Sequence, residues 1–228
     1  MLGGMADLWV CNLGLVPFAA ALALQETLRT ARQADEIPDT VLLLEHPPVY
    51  TRGRRSSPDE LPALARRLGE TPIEVVDVDR GGRVTYHGPG QLVGYPIVRI
   101  GDVIGYLRSL ERALVATLSR EGLAAGGAGE RPTGVWVSGR KIASIGVHVS
   151  RRVTTHGFAV NADNDLTPFS WIVPCGMPDV QMTSVGLETG RSHTIGALRR
   201  SVATELARAL GRTPRAIEPG QLLGAPVG

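Results

Sequence analysis

Three of the chain's apolar, β-branched runs, at 134–137, 141–149 and 153–160, follow one another with only a few residues between them. Spacing this tight reads as strands joined by hairpins. Val147 and Val149 alternate with Gly146 and His148, the period of a half-buried strand. Further runs at 40–44, 73–78 and 92–100 read as strands too. Four helix signals surround them. One runs from Pro17 to Arg32, with proline at a first helical position. Ser57-Pro58-Asp59-Glu60 has the form of a capping box and opens a helix ending near Gly69. Val103, Leu107, Leu110, Leu114 and Leu118 form an apolar stripe closed by Gly122. Ile195, Leu198, Val202, Leu206 and Leu210 form another, with Thr194 as its cap and Gly211 as its stop. Hairpins within and helices around favour an α+β fold, a mixed β-sheet flanked by helices, over a doubly wound parallel sheet. The stretch 124–132 reads as a loop. The Pro/Gly-rich tail after Thr213 reads as chain that covers the surface or frays.

With 228 residues, 43% hydrophobic and 20% charged, the chain suits one domain over 1–228, with room for a small C-terminal lobe from about residue 177. A net charge of +2 gives no electrostatic reason to expect nucleic acid. Arginine pairs at 54–55, 66–67, 151–152 and 199–200 read either as solvated faces or as a local patch for an acidic partner. Cys11 and Cys175 are the two cysteines, and neither a CxxC nor a Cys/His cluster points to a metal. The start lacks the pattern of a signal peptide, and no apolar run approaches the ~20 residues that span a bilayer. The expectation is a cytoplasmic protein with reduced thiols and no membrane contact.

Candidate chemistry concentrates in three places. The first is the segment 80–96, where Gly81 and Gly82 let the backbone approach a ligand or another strand, and Gly88-Pro89-Gly90 forms a turn. It lacks the spacing of a P-loop. By itself it reads either as a tight hairpin with incidental polar side chains or as the lining of a site. The second is Lys141, the only lysine among 24 basic residues. Arginine stays charged, whereas a lysine amine can titrate when buried. Lys141 is therefore either a required amine or a survivor of compositional bias. The third is Cys175, held between Pro174 and Gly176 in what reads as a constrained turn. It is either a presented nucleophile or a buried structural thiol. Cys11 has no such context and reads as packing.

Five elements, in order, carry a family resemblance. Arg80-Gly81-Gly82-Arg83-Val84-Thr85-Tyr86-His87-Gly88-Pro89-Gly90-Gln91 resembles the glycine-rich signature of the lipoyl(octanoyl) transferases. Leu44-Glu45-His46-Pro47-Pro48-Val49-Tyr50-Thr51 is similar to the element upstream of it. Gly139-Arg140-Lys141-Ile142-Ala143-Ser144-Ile145-Gly146 resembles the family's lysine motif. Thr155-His156-Gly157-Phe158-Ala159-Val160-Asn161 and Ile172-Val173-Pro174-Cys175-Gly176 resemble the two that follow. The resemblance implies the biotin/lipoate protein ligase catalytic fold. It implies transfer of an octanoyl group from octanoyl-acyl carrier protein to a lysine of a lipoyl domain, with no cofactor. The acceptors implied are the lipoyl domains of 2-oxoacid dehydrogenase complexes and the glycine cleavage H protein.

The resemblance makes Cys175 the nucleophile and Lys141 its partner. An ammonium beside sulfur favours thiolate, and an amine can take a proton once the sulfur is acylated. Arg80 through His87, Ser144, Ile145, Gly146, His156, Gly157 and Phe158 would line the acyl pocket, with backbone amides around Gly146 and Gly157 facing the oxyanion. His87 and His156 would either orient the lysine or make core hydrogen bonds, and His156 competes with Lys141 as general base. His46, His148 and His193 read as structural or exposed. Because both protein substrates are generally acidic, Arg52, Arg54, Arg55, Arg140, Arg151 and Arg152 are candidate docking residues. The nearest alternative is an ATP-dependent lipoate or biotin ligase, followed by a cysteine hydrolase and a non-enzymatic carrier-binding domain.

Overall fold

The computed structural model describes residues 6–57, 60, 73–129, 131–173, 179–192 and 194–222. Strand β2 (Asp39–Glu45) shows how the core is divided. Its run Val41-Leu42-Leu43-Leu44 is fully buried. Val41 and Leu43 join one apolar cluster, whereas Leu42 and Leu44 join another. Side chains alternate across a strand, so a continuous apolar run demands cover on both faces. Helices α2 (Val103–Arg120) and α4 (Ile195–Leu210) cover the first face with Leu110, Leu114, Leu198 and Val202. Helix α1 (Phe18–Gln33) covers the second with Ala21, Leu28 and Ala31.

The large sheet has eight strands in the order β11-β1-β2-β6-β10-β9-β8-β7. Strand β1 (Asp7–Leu15) pairs in parallel with β2 and with β11 (Thr213–Ile217). Strands β6 (Gln91–Ile97), β10 (Val153–Asn161), β9 (Arg140–Ser150), β8 (Gly134–Val137) and β7 (Ala125–Gly126) continue from β2 in antiparallel fashion. The sheet is mixed and flanked by helices, as the sequence pattern implies. The two expected hairpins are present. Ser138-Gly139 joins β8 to β9 and Arg151-Arg152 joins β9 to β10, all four residues at positive φ. Such two-residue turns match the twist of paired strands. A smaller sheet, in the order β4-β3-β5, contains β3 (Val49–Arg52), β4 (Glu74–Asp77) and β5 (Thr85–His87).

Several elements differ from the sequence reading. The tail after Thr213 does not simply cover or fray, because 213–217 adds β11 to the sheet edge beside β1. Pro214 fits there, since an edge strand can forgo an N–H. Strands β1 and β3 and the short helix α3 (Val185–Thr189) have no counterpart in that reading, and β7 falls within the expected loop. Gly211 does stop α4 in the left-handed region, φ 64°. Thr194 makes no side-chain cap; its N–H donates instead to Asp163 Oδ2 at 2.6 Å. The helix expected between residue 57 and Gly69 lies, beyond Ser57 and Glu60, outside the described residues.

A buried carboxylate ties these parts together. Asp39 accepts from Arg32 Nε at 2.8 Å, from Arg212 Nη2 at 2.9 Å and from the backbone N–H of Arg99 at 3.0 Å. It thereby joins the end of α1, the start of β2, the chain after β6 and the approach to β11. Removing one partner of a buried ion pair typically costs about 3–5 kcal/mol. Asp39→Ala is expected to lower the unfolding free energy by that order in urea titrations; a loss below about 1 kcal/mol would show the junction to be dispensable.

Candidate active site

The site begins with a close backbone approach. The N–H of Gly81 donates to Val147 O of β9 at 2.9 Å, laying the glycine loop against that strand. A Cβ at Gly146 would sit 2.8 Å from Gly81 O, and one at Gly53 would sit 2.6 Å from Gly82 O. No side chain fits at either place, so glycine is the residue that allows this contact. Arg80 is buried beneath the loop. Its Nη2 donates to Thr51 O at 2.9 Å and Thr51 Oγ1 at 2.7 Å, and its Nη1 donates to Gly81 O at 3.1 Å. On β10, a Cβ at Gly157 would meet Gly94 O at 2.3 Å, so β6 and β10 also close tightly here.

These contacts form a small cleft. Arg80, Gly82, Arg83, Thr85 and His87 line it from the loop and β5. Ser144, Ile145 and Gly146 line it from β9, and His156, Gly157 and Phe158 from β10. All are residues expected around a pocket. Gly81 lines the adjoining groove instead. Val84 and Tyr86 depart from the expectation, because they pack in the small sheet's core with Tyr50 and Phe169. The strand period explains this, since Thr85 and His87 share one face of β5 and Val84 and Tyr86 belong to the other. Phe18, Tyr95 and Ala159 also line the cleft. Phe18 reads in sequence as ordinary helix packing. Tyr95 falls within the dense 80–96 segment, which was its one available signal.

The histidines fall into distinct environments. His46 is fully buried; its Nδ1–H donates to Val16 O at 2.6 Å and its Nε2 accepts from Tyr95 Oη at 2.7 Å. His87 donates from Nδ1 to Gln91 Oε1 at 2.7 Å, which leaves Nε2 unprotonated in the neutral ring. Burial, and then the neighbouring His46, push its pKa down to about 3. His156 stands at φ 56°, in the left-handed region, with Nε2 3.0 Å from Asp79 Oδ1. Burial pushes its pKa down to about 4 even though Asp79 acts in the opposite direction. His148 lies 3.4 Å from the other Asp79 oxygen. His193 lies outside the described residues. At neutral pH the cleft therefore presents uncharged imidazoles.

Lys141 is 1% exposed. Its Nζ stands 5.5 Å from the centre of the Trp136 ring, within cation–π range. A Cβ at Gly134 would come within 2.8 Å of Lys141 Cε, so that glycine makes room for the amine's stem. The backbone of Lys141 donates to Gln181 O at 2.8 Å, and its O accepts from Thr183 N–H at 2.9 Å. Lys141 lines a wider groove that continues from the cleft through Gly82, Arg83, Ile145 and Gly146. Cys175, with Pro174 and Gly176, lies outside the described residues. Cys11 is buried in the core, where burial first and Glu218 second push its thiol up to about 11. That keeps it a packed thiol. Among the described residues no cluster of three or more His, Cys, Asp or Glu could hold a metal, and no helix is long and apolar enough to cross a membrane.

Residues 17–207 match the family model described as the lipoyl protein ligase A/B catalytic domain. A protein named octanoyltransferase from Acidothermus cellulolyticus is 48% identical over 205 residues, spanning 86% of this chain and 89% of that relative. Among solved structures, the bi-partite lipoate protein ligase from Thermoplasma acidophilum superposes with a TM-score of 0.75 at 16% identity, covering 96% of this chain and 89% of the other. The biotin protein ligase from Aquifex aeolicus superposes with a TM-score of 0.52 at 11% identity, covering 90% and 69%. The expected biotin/lipoate ligase catalytic fold is thus the one observed.

The depressed histidines have a consequence for acid stability. Below about pH 6.5 the unfolded chain takes up protons that native His156 does not bind. Stability is thus fully present above that pH and falls as the pH drops toward 4, by up to about 1.4 kcal/mol per pH unit for one histidine. His156→Gln is expected to show a shallower loss of unfolding free energy between pH 7 and pH 5 than wild type. Equal slopes in denaturant titrations at the two pH values would refute this.

Proposed function

Because the chain belongs to the lipoyl protein ligase A/B catalytic-domain family, among its octanoyltransferases, we propose that it moves an octanoyl group from octanoyl-acyl carrier protein to a lipoyl-domain lysine through a Cys175 thioester. It is an acyltransferase. The acceptors are lipoyl domains of 2-oxoacid dehydrogenase complexes and the glycine cleavage H protein. The observation that carries this reading is the position of Lys141. The chain's only lysine is buried and lines a groove that also holds Arg54, Arg55, Arg83 and Arg131 and that shares Gly82, Arg83, Ile145 and Gly146 with the cleft. Its peptide group bonds to Gln181 and Thr183, a few residues beyond Cys175 in sequence. On the near side of Cys175, Val173 N–H donates to Glu60 O at 2.9 Å. The chain is therefore anchored on both sides of the cysteine.

The steps balance without an energy source. In the first, the Cys175 thiolate attacks the thioester carbonyl. A new carbon–sulfur bond forms, the carrier's sulfur leaves, and the Lys141 ammonium gives it a proton. Until then that ammonium favours thiolate over thiol. In the second step the neutral ε-amine of the lipoyl domain attacks the acyl carbon. The carbon–nitrogen bond forms, the bond to Cys175 breaks, and Lys141 takes the amine proton. Exchange of thioester for thioester is nearly neutral and thioester for amide runs downhill, so ATP is not required. The apolar side chains of Phe18, Ile145 and Phe158 and the neutral imidazoles suit an uncharged hydrocarbon chain.

Intact-mass spectrometry tests the covalent step. The protein incubated with octanoyl-acyl carrier protein is expected to gain one octanoyl group, and Cys175→Ser is expected to gain none. Product formed only from free octanoate with ATP would favour a ligase instead. Lys141→Arg keeps a positive charge but does not readily release a proton. It is expected to retain the octanoyl adduct while transfer to a lipoyl domain slows by at least about 100-fold. Near-normal turnover of Lys141→Arg would remove the proton role from this lysine.

A further inference from the structure

The groove that holds Lys141 is wider than the cleft it adjoins. Arg54, Arg55, Arg83 and Arg131 line it with Lys141, and among the described residues no Asp or Glu does. Arg83 is engaged by the buried carboxylate of Glu60. Arg54, Arg55 and Arg131 form no ion pair with a described residue, although most arginines elsewhere pair with a carboxylate. Three exposed guanidinium groups beside one groove repel each other and attract an anion.

These cations are held in place. The N–H of Arg54 donates to Arg80 O and that of Arg55 donates to Gly82 O, both at 3.1 Å. Their turn is thus fastened to the glycine loop that forms part of the cleft wall. Gly53 permits this because any Cβ there would collide with Gly82 O. Arg131 comes from a different element, ahead of β8, and its guanidinium lies 5.3 Å from the centre of the Trp136 ring. The same ring faces Lys141 Nζ. The loop arginines, Arg131 and the amine therefore border one space, and the buried Trp136 ring packs against the last two.

We propose that this groove receives the phosphodiester end of the carrier protein's pantetheine arm, with Arg54, Arg55 and Arg131 as the cations that grip it. The proposal rests on the octanoyl-transfer reading. A carrier-bound thioester is neutral at its acyl end and anionic at the far end of its arm. The cleft and groove offer the matching division: apolar side chains and neutral imidazoles in the cleft, where Arg80 is engaged by Thr51 and Gly81 and Arg83 by Glu60, and then three guanidinium groups with no ion pair among the described residues. Arginine's planar fork suits phosphate oxygens, and charge-assisted bonds of this kind are the stronger class.

The test compares two small donors, octanoyl-4′-phosphopantetheine and octanoyl-pantetheine, which differ only in the phosphate. Wild type is expected to prefer the phosphorylated donor in KM by about ten-fold or more. That preference should shrink toward unity in Arg54→Gln/Arg55→Gln and in Arg131→Gln, and should fall as salt rises. The readout is the ratio between donors, so a general loss of activity does not imitate it. The same preference in wild type and variants, or none in wild type, overturns the proposal while leaving octanoyl transfer standing. If ATP abolishes the preference by competing for the groove, the site belongs to a nucleotide and the proposal falls. Transfer from neither donor nor from the intact carrier protein overturns the octanoyl-transfer reading, and this proposal with it.

Discussion

One buried amide holds the two sheets in register across the candidate site. Gln91 Oε1 accepts from His87, while its Nε2 donates to Tyr86 O at 3.2 Å and to Asn161 Oδ1 at 2.9 Å. Asn161 Nδ2 donates in turn to Thr183 O at 2.9 Å, and Thr183 N–H donates to Lys141 O. The chain of bonds thus runs from the small sheet through β6 and β10 to the backbone of the lone lysine. These groups are out of water, so each unmade bond would cost about 1–3 kcal/mol. Such networks act together, and a shift at one end is opposed at every link.

That coupling sets the electrostatics. Because the small sheet is pulled down onto β6 and β10, His87 and His156 lose their water and stay neutral. The arginines that share this region have different fates. Arg80 is enclosed and spends its guanidinium on Thr51 and Gly81, whereas Arg54 and Arg55 remain at the surface of the same loop assembly. The outcome is a cleft of apolar side chains and neutral imidazoles that continues into a positively charged groove, which Lys141 lines. An acyl chain carried on an anionic arm matches that arrangement end to end.

Much of this was legible in the sequence because it depends on local rules. The strand period at Val147 and Val149, the stripes of α2 and α4, and the stop at Gly211 follow from spacing and from glycine's tolerance of positive φ. The glycines of the 80–90 segment marked a close backbone approach, and Gly81 makes one with β9. Other parts were not legible. Strand β11 is mostly exposed and contains Pro214, so only its partner β1 makes it a strand. Phe18 looks like any apolar residue in a first helical turn, and nothing local reveals that it faces a cleft. Val84 and Tyr86 sit inside the strongest motif yet pack away from the cleft. A motif names a stretch of chain, while the pleat decides which half of it faces the site.

By itself, the sequence determined the mixed sheet flanked by helices, the glycine loop, and the presence of one amine in a chain otherwise served by arginine. Each is a matter of residue type and short spacing. Only the tertiary structure decided that the amine is buried, that it lines the groove adjoining the cleft, and that His87 and His156 in the cleft are neutral. The reason is that burial and charge depend on what packs against a residue. Here the neighbours are strands from distant parts of the chain, brought together by β6, β9 and β10.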